Sequence, residues 1–430
     1  MPSVEIVICA PWAANTTTNR RVSSTREKVA SQFNIDVPDF EPVHVRLAWL
    51  TNPSLYPRLT LLLQSLAATL LGLEAYMACS ADVFVDTANQ TFALVPAKVL
   101  GAITVSYVHY PTISTNMLTI VRDRTSQFNN DQRIARSALL SALKLIYYRS
   151  FARLYAAAGH ASDVTMVNST WTNNHIRAVW RVSRSTSVLD SGVRSSADPT
   201  RQSWSAGIRT VFPPCDTSLL SSLEIDGKHR KSHLIVSVGQ FRPEKNHMLQ
   251  LEIMYKLRTK YASEMGNVKL IMIGGARNDA DRARVSALRR ARAKMGLDSV
   301  VTIRENAPWS ELLETLSMAW AGLHTMRDEH FGISIVELQA SGVIAVGHRS
   351  GGVALDIIED GVTGFLAEDA DEYAMKLRKA LTELRGEESR KFRAAARESA
   401  MRFADASFGE QFADATSYAV QMAAGMCKQR

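Results

Sequence analysis

The chain has 430 residues, of which 46% are hydrophobic and 21% are charged, so it is globular and can bury two sizeable cores. The formal net charge of +8 favours an anionic partner such as a nucleotide diphosphate, a nucleic acid or an acidic membrane surface; no nucleic-acid-binding motif is present, and we expect no nucleic-acid partner. Four scattered cysteines, without metal-ligand or disulfide spacing, indicate a reducing compartment and no metal site.

Short apolar runs alternate with helical patterns along the first half of the chain. Strands are expected at Val4 to Ala10, Val43 to Trp49, Asp82 to Asp86, Ile103 to His109 and Val164 to Val167. This β-α-β alternation predicts a parallel sheet that is covered on both faces. Residues 183–205 are rich in Ser, Arg, Asp and Gly without periodicity, so we expect a disordered or solvated insertion there.

Two helical segments of the first half are candidates for contact with a membrane. Leu59 to Ala81 contains one charge, Glu74, and is long enough to span a bilayer. Because polar residues dilute it and it lies between two strands of one sheet, we expect a helix packed on the sheet or dipping into an interface. Ser137 to Ala158 combines apolar, basic and tyrosine residues, which suit either an anionic leaflet or an amphipathic core helix.

A second alternating series occupies the other half. Its strands are expected at Leu234 to Val238, Val268 to Ile273, Val300 to Ile303, Ala321 to Thr325, Val343 to Val346 and Gly364 to Ala367. Helices follow, with Tyr373, Leu377, Leu381 and Leu384 at core spacing. We therefore predict an α/β protein of two doubly wound Rossmann-like domains, residues 1–230 and 231–400, facing a cleft. Residues 401–430 are expected to be helices that pack back toward the first domain.

Glu329 and Glu337 frame a segment that runs from the end of a strand into a helix beginning near Phe331. Ligands of doubly wound folds lie beyond the carboxyl ends of the strands, and a helix N-terminus suits a diphosphate. Glu329, just outside the helix, is placed to accept hydrogen bonds from a sugar, and Glu337, in the second turn, from a ribose diol. The segment thus predicts a nucleotide-sugar site.

A second basic segment supports this interpretation. The strand ending at Val238 leads through Gly239 and Gln240 to Arg242 and Lys245, just before another helical pattern. Two cations between a strand and a helix suit a diphosphate whose negative charge grows as it leaves.

Four segments, residues 107–112, 167–172, 237–246 and 322–326, together with the glutamate segment, resemble one enzyme family. It comprises the eukaryotic GDP-mannose-dependent α-1,2-mannosyltransferases that add the fourth and fifth mannoses to the dolichol-diphosphate-linked oligosaccharide in N-glycan precursor assembly. The resemblance runs from about Val4 to Ala367.

The resemblance implies a GT-B fold and a retaining transfer from GDP-mannose that needs no metal or other cofactor. It also implies three partners: GDP-mannose, the dolichol-diphosphate-linked oligosaccharide and the cytosolic face of the endoplasmic reticulum membrane. Retention is expected by front-face attack, in which the departing phosphate oxygen accepts the acceptor's proton.

The resemblance also assigns residues. His109, at the end of a strand, is assigned to the transferred sugar or the acceptor hydroxyl, and Glu329 to the transferring mannose; both are expected to be catalytic. Glu337 is assigned to the donor ribose. The residues expected at the donor diphosphate are Arg242, Lys245, Phe331, Gly332 and Ile333. Further candidate donor or cleft residues are Gly239, Gln240, His330, Ser350, Gly351, Gly352 and Asn168.

The chain departs from the family pattern in two places. Many members of the wider superfamily carry Arg where Gln240 stands, so Arg242 must reach the phosphate from two positions later. The family begins with a membrane-anchoring segment, a first strand and a glycine-rich loop. In this chain the run from Val4 looks like the family's second strand, so we expect the first strand and its glycine-rich loop to be absent. Two alternatives follow: an N-terminally truncated, inactive donor-binding or scaffold protein, or a related GT-B enzyme with another donor or acceptor.

Overall fold

The computed structural model describes residues 5–10, 43–125, 130–180, 207–225 and 229–427. Described residues up to Val211 and those from Glu410 form one compact unit, and residues 212–409 form a second. The second unit begins ahead of residue 231 because Phe212 packs against Phe331 and Phe403, with ring centroids 5.8 and 5.0 Å away. The insertion predicted at residues 183–205 lies outside the described residues.

The described residues of the first unit contain six short strands, all paired in parallel. They are β1 (Cys9–Ala10), β2 (Val43–His44), β3 (Val83–Asp86), β4 (Ile103–Val108), β5 (Val164–Val167) and β6 (Ile208–Thr210). β1 pairs with β2, while β3, β4, β5 and β6 form a sheet in that order. The predicted strands at residues 82–86, 103–109 and 164–167 are therefore confirmed, and the three-residue β6 was missed.

The described helices of this part of the chain are α1 (Thr60–Cys79), α2 (Leu94–Val99), α3 (Thr115–Arg122), α4 (Gln132–Arg136), α5 (Ala138–Gly159) and α6 (Thr170–Trp180). Three short 3₁₀ turns cover Arg46–Thr51, Pro53–Leu55 and Thr91–Ala93. The aromatic core packs α5 on the sheet: Phe151 and Tyr155 are fully buried, and Tyr155 meets the ring of Trp180 edge-on at 5.6 Å.

Two strand predictions near the start were wrong in extent. Of the run Val4 to Ala10, only Cys9–Ala10 is a strand among its described residues. The run Val43 to Trp49 leaves its strand after His44 and turns into the 3₁₀ helix Arg46–Thr51. The cause is distant in sequence: the carboxylate of Glu74 accepts hydrogen bonds from the backbone N–H groups of Arg46, at 2.7 Å, and Leu47, at 2.8 Å.

Helix α1 packs on the rest of the first unit through small buried residues, among them Ala68 and Gly72. A Cβ atom on Gly72 would stand 2.2 Å from the carbonyl oxygen of Ala93, so only glycine permits this contact. In the part of the chain that the structure describes, α1 is also the one helix long and apolar enough to cross a membrane by length and composition, and 28% of its most apolar window is buried.

In the part of the second unit that the structure describes, six parallel strands form one sheet. They are β7 (Lys231–Val238), β8 (Lys269–Gly274), β9 (Val301–Glu305), β10 (Ala319–Leu323), β11 (Ile344–His348) and β12 (Phe365–Ala367). Their order in the sheet is β12-β11-β10-β7-β8-β9. All six predicted strands are present, and their ends lie within two residues of the predicted ones, except that β7 begins three residues earlier, at Lys231.

The helices of the remaining chain are α7 (Thr217–Ser221), α8 (His247–Lys260), α9 (Ala262–Met265), α10 (Asp279–Lys294), α11 (Trp309–Met318), α12 (Ile333–Ala340), α13 (Ala370–Thr382), α14 (Gly386–Ala400) and α15 (Asp405–Cys427). Shorter turns cover Pro243–Lys245, Val353–Ile357 and Met401–Phe403. Tyr373, Leu377 and Leu381 are fully buried, as their spacing predicts. The unit is a doubly wound sheet with helices on both faces.

Candidate active site

Three loops meet at the carboxyl ends of the neighbouring strands β7, β10 and β11. The loop after β7 carries Lys245, the loop after β10 carries Glu329, and the turn after β11 contains Ser350. The chain order of these strands separates the residues widely, but their order in the sheet places them side by side.

Lys245 and Glu329 form an ion pair at this edge. The side chain of Glu329 is only 13% exposed, and its Oε2 also accepts a hydrogen bond from Nε2 of His324, at 3.1 Å. Burial alone would raise the pKa of Glu329, but the bond from His324 and the charge of Lys245 hold that pKa well below its usual range. The carboxylate is therefore ionised, buried and doubly hydrogen-bonded.

The backbone of the Lys245 loop is fixed from β10. Lys245 ends a single 3₁₀ turn, and Asn246 follows in the left-handed region at φ 50°. The hydroxyl of Thr325 donates to the carbonyl oxygens of Lys245, at 2.9 Å, and Asn246, at 3.2 Å. Gln250 donates in turn to that hydroxyl at 3.1 Å. Thr325 and Gln250 are buried polar residues that the local sequence patterns did not single out.

The loop that carries Glu329 is braced by the turn after β11. The backbone N–H of Asp328 donates to Oγ of Ser350 at 2.7 Å, and the N–H of Gly352 donates to the carbonyl of Glu329 at 2.8 Å. Gly351 has φ +69°, and a Cβ there would stand 2.2 Å from the carbonyl oxygen of Glu329. The Ser350 to Gly352 turn, a candidate donor contact from the sequence, therefore has a clear structural role in supporting Glu329.

Helix α12 starts at the same edge. Its N-cap is Gly332, whose φ of 115° lies in the range that favours glycine. Because glycine has no side chain, the helix N-terminus is not covered by its own N-cap residue. The ring of Phe331 is buried, whereas Ile333 is 44% exposed at the first turn. His330 precedes them in the loop, and burial lowers its pKa. The helix begins where the sequence predicted, close to Phe331.

Glu337 lies in the second turn of α12 and is half-buried. Burial raises the pKa of its carboxyl to about 7. It differs in this respect from Glu329, whose partners keep it charged. A hydrogen-bonding ligand would favour the charged form of Glu337.

The segment between β7 and Lys245 also lies at the carboxyl edge of the second sheet. A Cβ on Gly274 would stand 1.9 Å from the carbonyl oxygen of Gly239, so the ends of β7 and β8 touch through backbone there. Gln240 is exposed. The guanidinium of Arg242 lies 3.7 Å from Glu244, and its buried Nε has no hydrogen-bond partner among the described residues. The structure thus joins Lys245 to Glu329, and places Arg242 beside Glu244.

The two candidate residues of the first unit lie at the carboxyl edge of its sheet. His109 follows β4, and its Nε2 lies 3.0 Å from the carbonyl oxygen of Thr87, which follows β3. Asn168 follows β5; its Oδ1 accepts from the hydroxyl of Thr172 at 2.7 Å, at the start of α6. Asn168 is buried and supports that helix.

Among the described residues, no group of three His, Cys, Asp or Glu side chains is arranged to hold a metal ion.

Solved structures with this architecture include a protein in complex with UDP and a glycosyltransferase. A structure of Anabaena HepE in complex with UDP has a TM-score of 0.57 at 14% identity and covers 81% of this chain and 82% of its own. A glycosyltransferase from Rickettsia africae has a TM-score of 0.59 at 14% identity, covering 94% and 88%. The fold is GT-B, as the sequence predicted, and residues 222–399 match the family “Glycosyl transferases group 1”. The chain is a glycosyltransferase.

The particular family follows from closer relatives. Residues 4–180 match the family “ALG11 mannosyltransferase N-terminus”. The human GDP-Man:Man(3)GlcNAc(2)-PP-Dol alpha-1,2-mannosyltransferase is 43% identical over 388 residues, which cover 89% of this chain and 74% of the human one. The Dictyostelium discoideum protein of the same name is 36% identical over 394 residues, covering 90% and 73%. The chain belongs to this family of α-1,2-mannosyltransferases, which confirms the resemblance of its motifs.

Proposed function

We propose that the chain transfers mannose from GDP-mannose to the trimannosyl, dolichol-diphosphate-linked oligosaccharide, adding the fourth and fifth mannoses in α-1,2 linkage with retention. The family membership carries this proposal. The pairing of Lys245 with Glu329 at the carboxyl edge of the second sheet supports it, because that edge is where doubly wound folds bind ligands.

The donor is bound through its diphosphate, its mannose and its ribose. Lys245 and Arg242 neutralise the diphosphate, and the N-terminus of α12, from Phe331 to Ile333, faces it with backbone N–H groups. Glu329 accepts hydrogen bonds from the hydroxyls of mannose, and Glu337 from the ribose diol. Gly239 leaves room beside the Lys245 side chain, to which a Cβ at that position would come no closer than 3.8 Å.

The reaction proceeds on one face of the sugar. The bond from the mannose anomeric carbon to the β-phosphate oxygen breaks, and a bond from the same carbon to the acceptor's 2-hydroxyl oxygen forms. The departing phosphate oxygen takes the hydroxyl proton, so no protein nucleophile is needed. The two cations and the helix N-terminus stabilise the charge on GDP, as divalent ions do in other enzymes. His109 contacts the acceptor hydroxyl or the transferred sugar.

Donor affinity is expected to rise with pH through about 7 because of Glu337, whose pKa burial raises to about 7. The ribose diol binds the ionised carboxylate, so a protonated site must first lose its proton. Between pH 8 and pH 6 the affinity for GDP-mannose should fall by up to about tenfold.

This pH dependence is measured by calorimetric titration with GDP-mannose, whose esterified diphosphate has a constant charge over this range. The Glu337→Gln variant is the control, since it cannot titrate and should give a flat profile. An equally steep profile in that variant would assign the effect to another group.

The proposed activity is tested by incubating the purified chain with GDP-mannose and the trimannosyl lipid-linked acceptor. A gain of two mannoses, removable by an α-1,2-specific mannosidase, is expected. Binding of GDP-mannose without transfer would instead indicate a donor-binding or scaffold protein. Transfer from another nucleotide sugar, or only to a soluble acceptor, would indicate a different GT-B enzyme.

We further propose that the first unit docks on the cytosolic face of the endoplasmic reticulum membrane through an apolar face of α1 and α5. On α1 this face consists of Leu66, Leu70, Leu73 and Met77; on α5 it consists of Leu139, Leu143 and Ile146. All seven side chains are exposed. The two helices touch, since the N–H of Leu62 donates to the hydroxyl of Tyr147 at 3.2 Å.

The charges around this face suit an anionic leaflet. Glu74, the acidic residue of α1, turns its carboxylate to the backbone of the turn Arg46–Thr51. Arg149 and Arg153 are exposed further along α5. Leucines at helical spacing beside arginines are typical of helices that lie in the membrane interface.

Introducing charge into this face should release the protein from membranes. The Leu70→Glu and Leu73→Glu double variant is expected to bind vesicles of phosphatidylcholine and phosphatidylserine at least about tenfold more weakly, because it places two charges in the apolar boundary. Co-sedimentation measures the partitioning. Met375→Glu is the matched control: Met375 lies on α13 of the other unit and is 47% exposed, against 49% for Leu70. Equal partitioning of the double variant and the wild type would contradict the docking face.

A further inference from the structure

One oxygen of Glu329 serves two donors. Its Oε2 pairs with the ammonium of Lys245 and accepts from Nε2 of His324 at 3.1 Å. In the proposed function the same ammonium must bind the donor diphosphate. A lysine ammonium is a mobile point charge on a flexible stem, and a diphosphate is the stronger anionic partner. In the proposed donor complex we expect the ammonium of Lys245 to turn from Glu329 to the diphosphate.

His324, in contrast, is fixed in place. It follows β10 and is 3% exposed. Its backbone N–H donates to the carbonyl of Val346 at 3.0 Å, and its carbonyl accepts from the hydroxyl of Tyr373 at 2.8 Å. The backbone of His324 is thus buried and anchored on both sides by bonds that do not involve Lys245.

The hydrogen bonds of the ring also identify its tautomer. Glu329 is ionised and can only accept, so the proton must be on Nε2. The Nδ1 atom is buried and has no hydrogen-bond partner among the described residues. A second proton there would bury an unsatisfied donor, and burial lowers the pKa of His324 accordingly. The imidazole is thus neutral and donates its one proton to Glu329.

We propose that His324 is a positioning residue that holds the carboxylate of Glu329 toward the transferring mannose once Lys245 has moved to the diphosphate. This inference rests on the proposed donor site. It assigns a task to a residue that acts through Glu329, and it separates the two partners of Glu329 in time: Lys245 holds it before the donor binds, and His324 afterwards.

Two substitutions of similar polarity test this proposal in the full-length chain. The amide nitrogen of His324→Gln reaches the place of Nε2 and can still donate to Glu329, whereas that of His324→Asn lies nearer the place of Nδ1 and cannot. We expect kcat for mannose transfer to fall by at least about thirtyfold in the Asn variant and to stay within about fivefold of wild type in the Gln variant. The affinity for GDP, which lacks the sugar that Glu329 contacts, should change by less than about fivefold in both.

The outcomes separate the two proposals. If wild-type protein neither binds GDP-mannose nor transfers mannose, the proposed function fails. If the wild type is active but the Asn variant matches it, or if folded Gln and Asn variants lose kcat equally, the positioning role of His324 is wrong.

A measurement on the wild type does not depend on either variant folding. Nitrogen-15 spectra of the imidazoles should show His324 as the neutral Nε2–H tautomer, both before and after GDP-mannose is added. A proton on Nδ1 alone, or loss of the Nε2–H signal when the donor binds, would overturn the proposal.

Discussion

Replacing Lys245 with alanine should lower mannose transfer at least about a hundredfold, which corresponds to about 2.7 kcal/mol of transition-state stabilisation. The ammonium is placed between Glu329 and the proposed diphosphate site, so its loss removes charge stabilisation of departing GDP. Glu329→Ala should cause a loss of similar size, through the contact to mannose. Both effects are measured as kcat/KM for GDP-mannose.

The double variant adds a sharper test. Because the two side chains form one ion pair, the combined loss should be clearly smaller than the product of the two single losses. Lys256→Ala is a matched control on α8, since Lys256 also pairs with a carboxylate, that of Asp371, but lies on the exposed surface. Near wild-type transfer by the Glu329 variant would remove that residue from the site.

The second large effect concerns the stability of the second unit. Arg393 is a charged residue that is almost completely buried, with 1% of its surface exposed. It donates to the carbonyls of Gly342 and Trp320 and to the hydroxyl of Ser389, and it lies 4.4 Å from the Trp320 ring. It therefore joins α14 to the start of β10 and to the turn before β11.

Arg393→Ala should lower the free energy of unfolding of this unit by about 3 to 5 kcal/mol, because it leaves buried carbonyls without donors and opens a void. Urea denaturation followed by tryptophan fluorescence measures the change. Lys391→Ala, an exposed neighbour on the same helix, should change the stability by less than about 0.5 kcal/mol. An unchanged unfolding midpoint for Arg393→Ala would show that the buried bonds contribute little.

All strands of the four-stranded and six-stranded sheets except the short β6 were predictable, because a buried parallel strand is an apolar run between loops and such a run is visible locally. The failure at Val43 to Trp49 has the opposite origin. That segment is apolar enough for a strand, but its conformation is set by Glu74, which lies on the following helix and caps the turn Arg46–Thr51. Local patterns contain no information on that contact.

The candidate site shows the same limit. Lys245 and Glu329 were each identified from their place between a strand and a helix. Their pairing depends on β7 and β10 being neighbours, which chain order does not reveal. His324 and Thr325 were noted only as parts of a predicted strand and of a family motif. Their burial at a strand end is what gives them hydrogen-bonding tasks, and burial of a polar residue is not legible in a single sequence.

The ion pair between Lys245 and Glu329 has a consequence for turnover. In the proposed binding mode, GDP and GDP-mannose both separate the pair, but only GDP-mannose brings hydroxyl groups that replace the lysine at the carboxylate. GDP therefore binds at the expense of the ion pair between Lys245 and Glu329, whereas GDP-mannose replaces that interaction with bonds from its hydroxyl groups. After transfer, Lys245 can return to Glu329 as GDP departs, so the resting charge pair acts as an internal competitor that favours product release and limits inhibition by accumulated GDP.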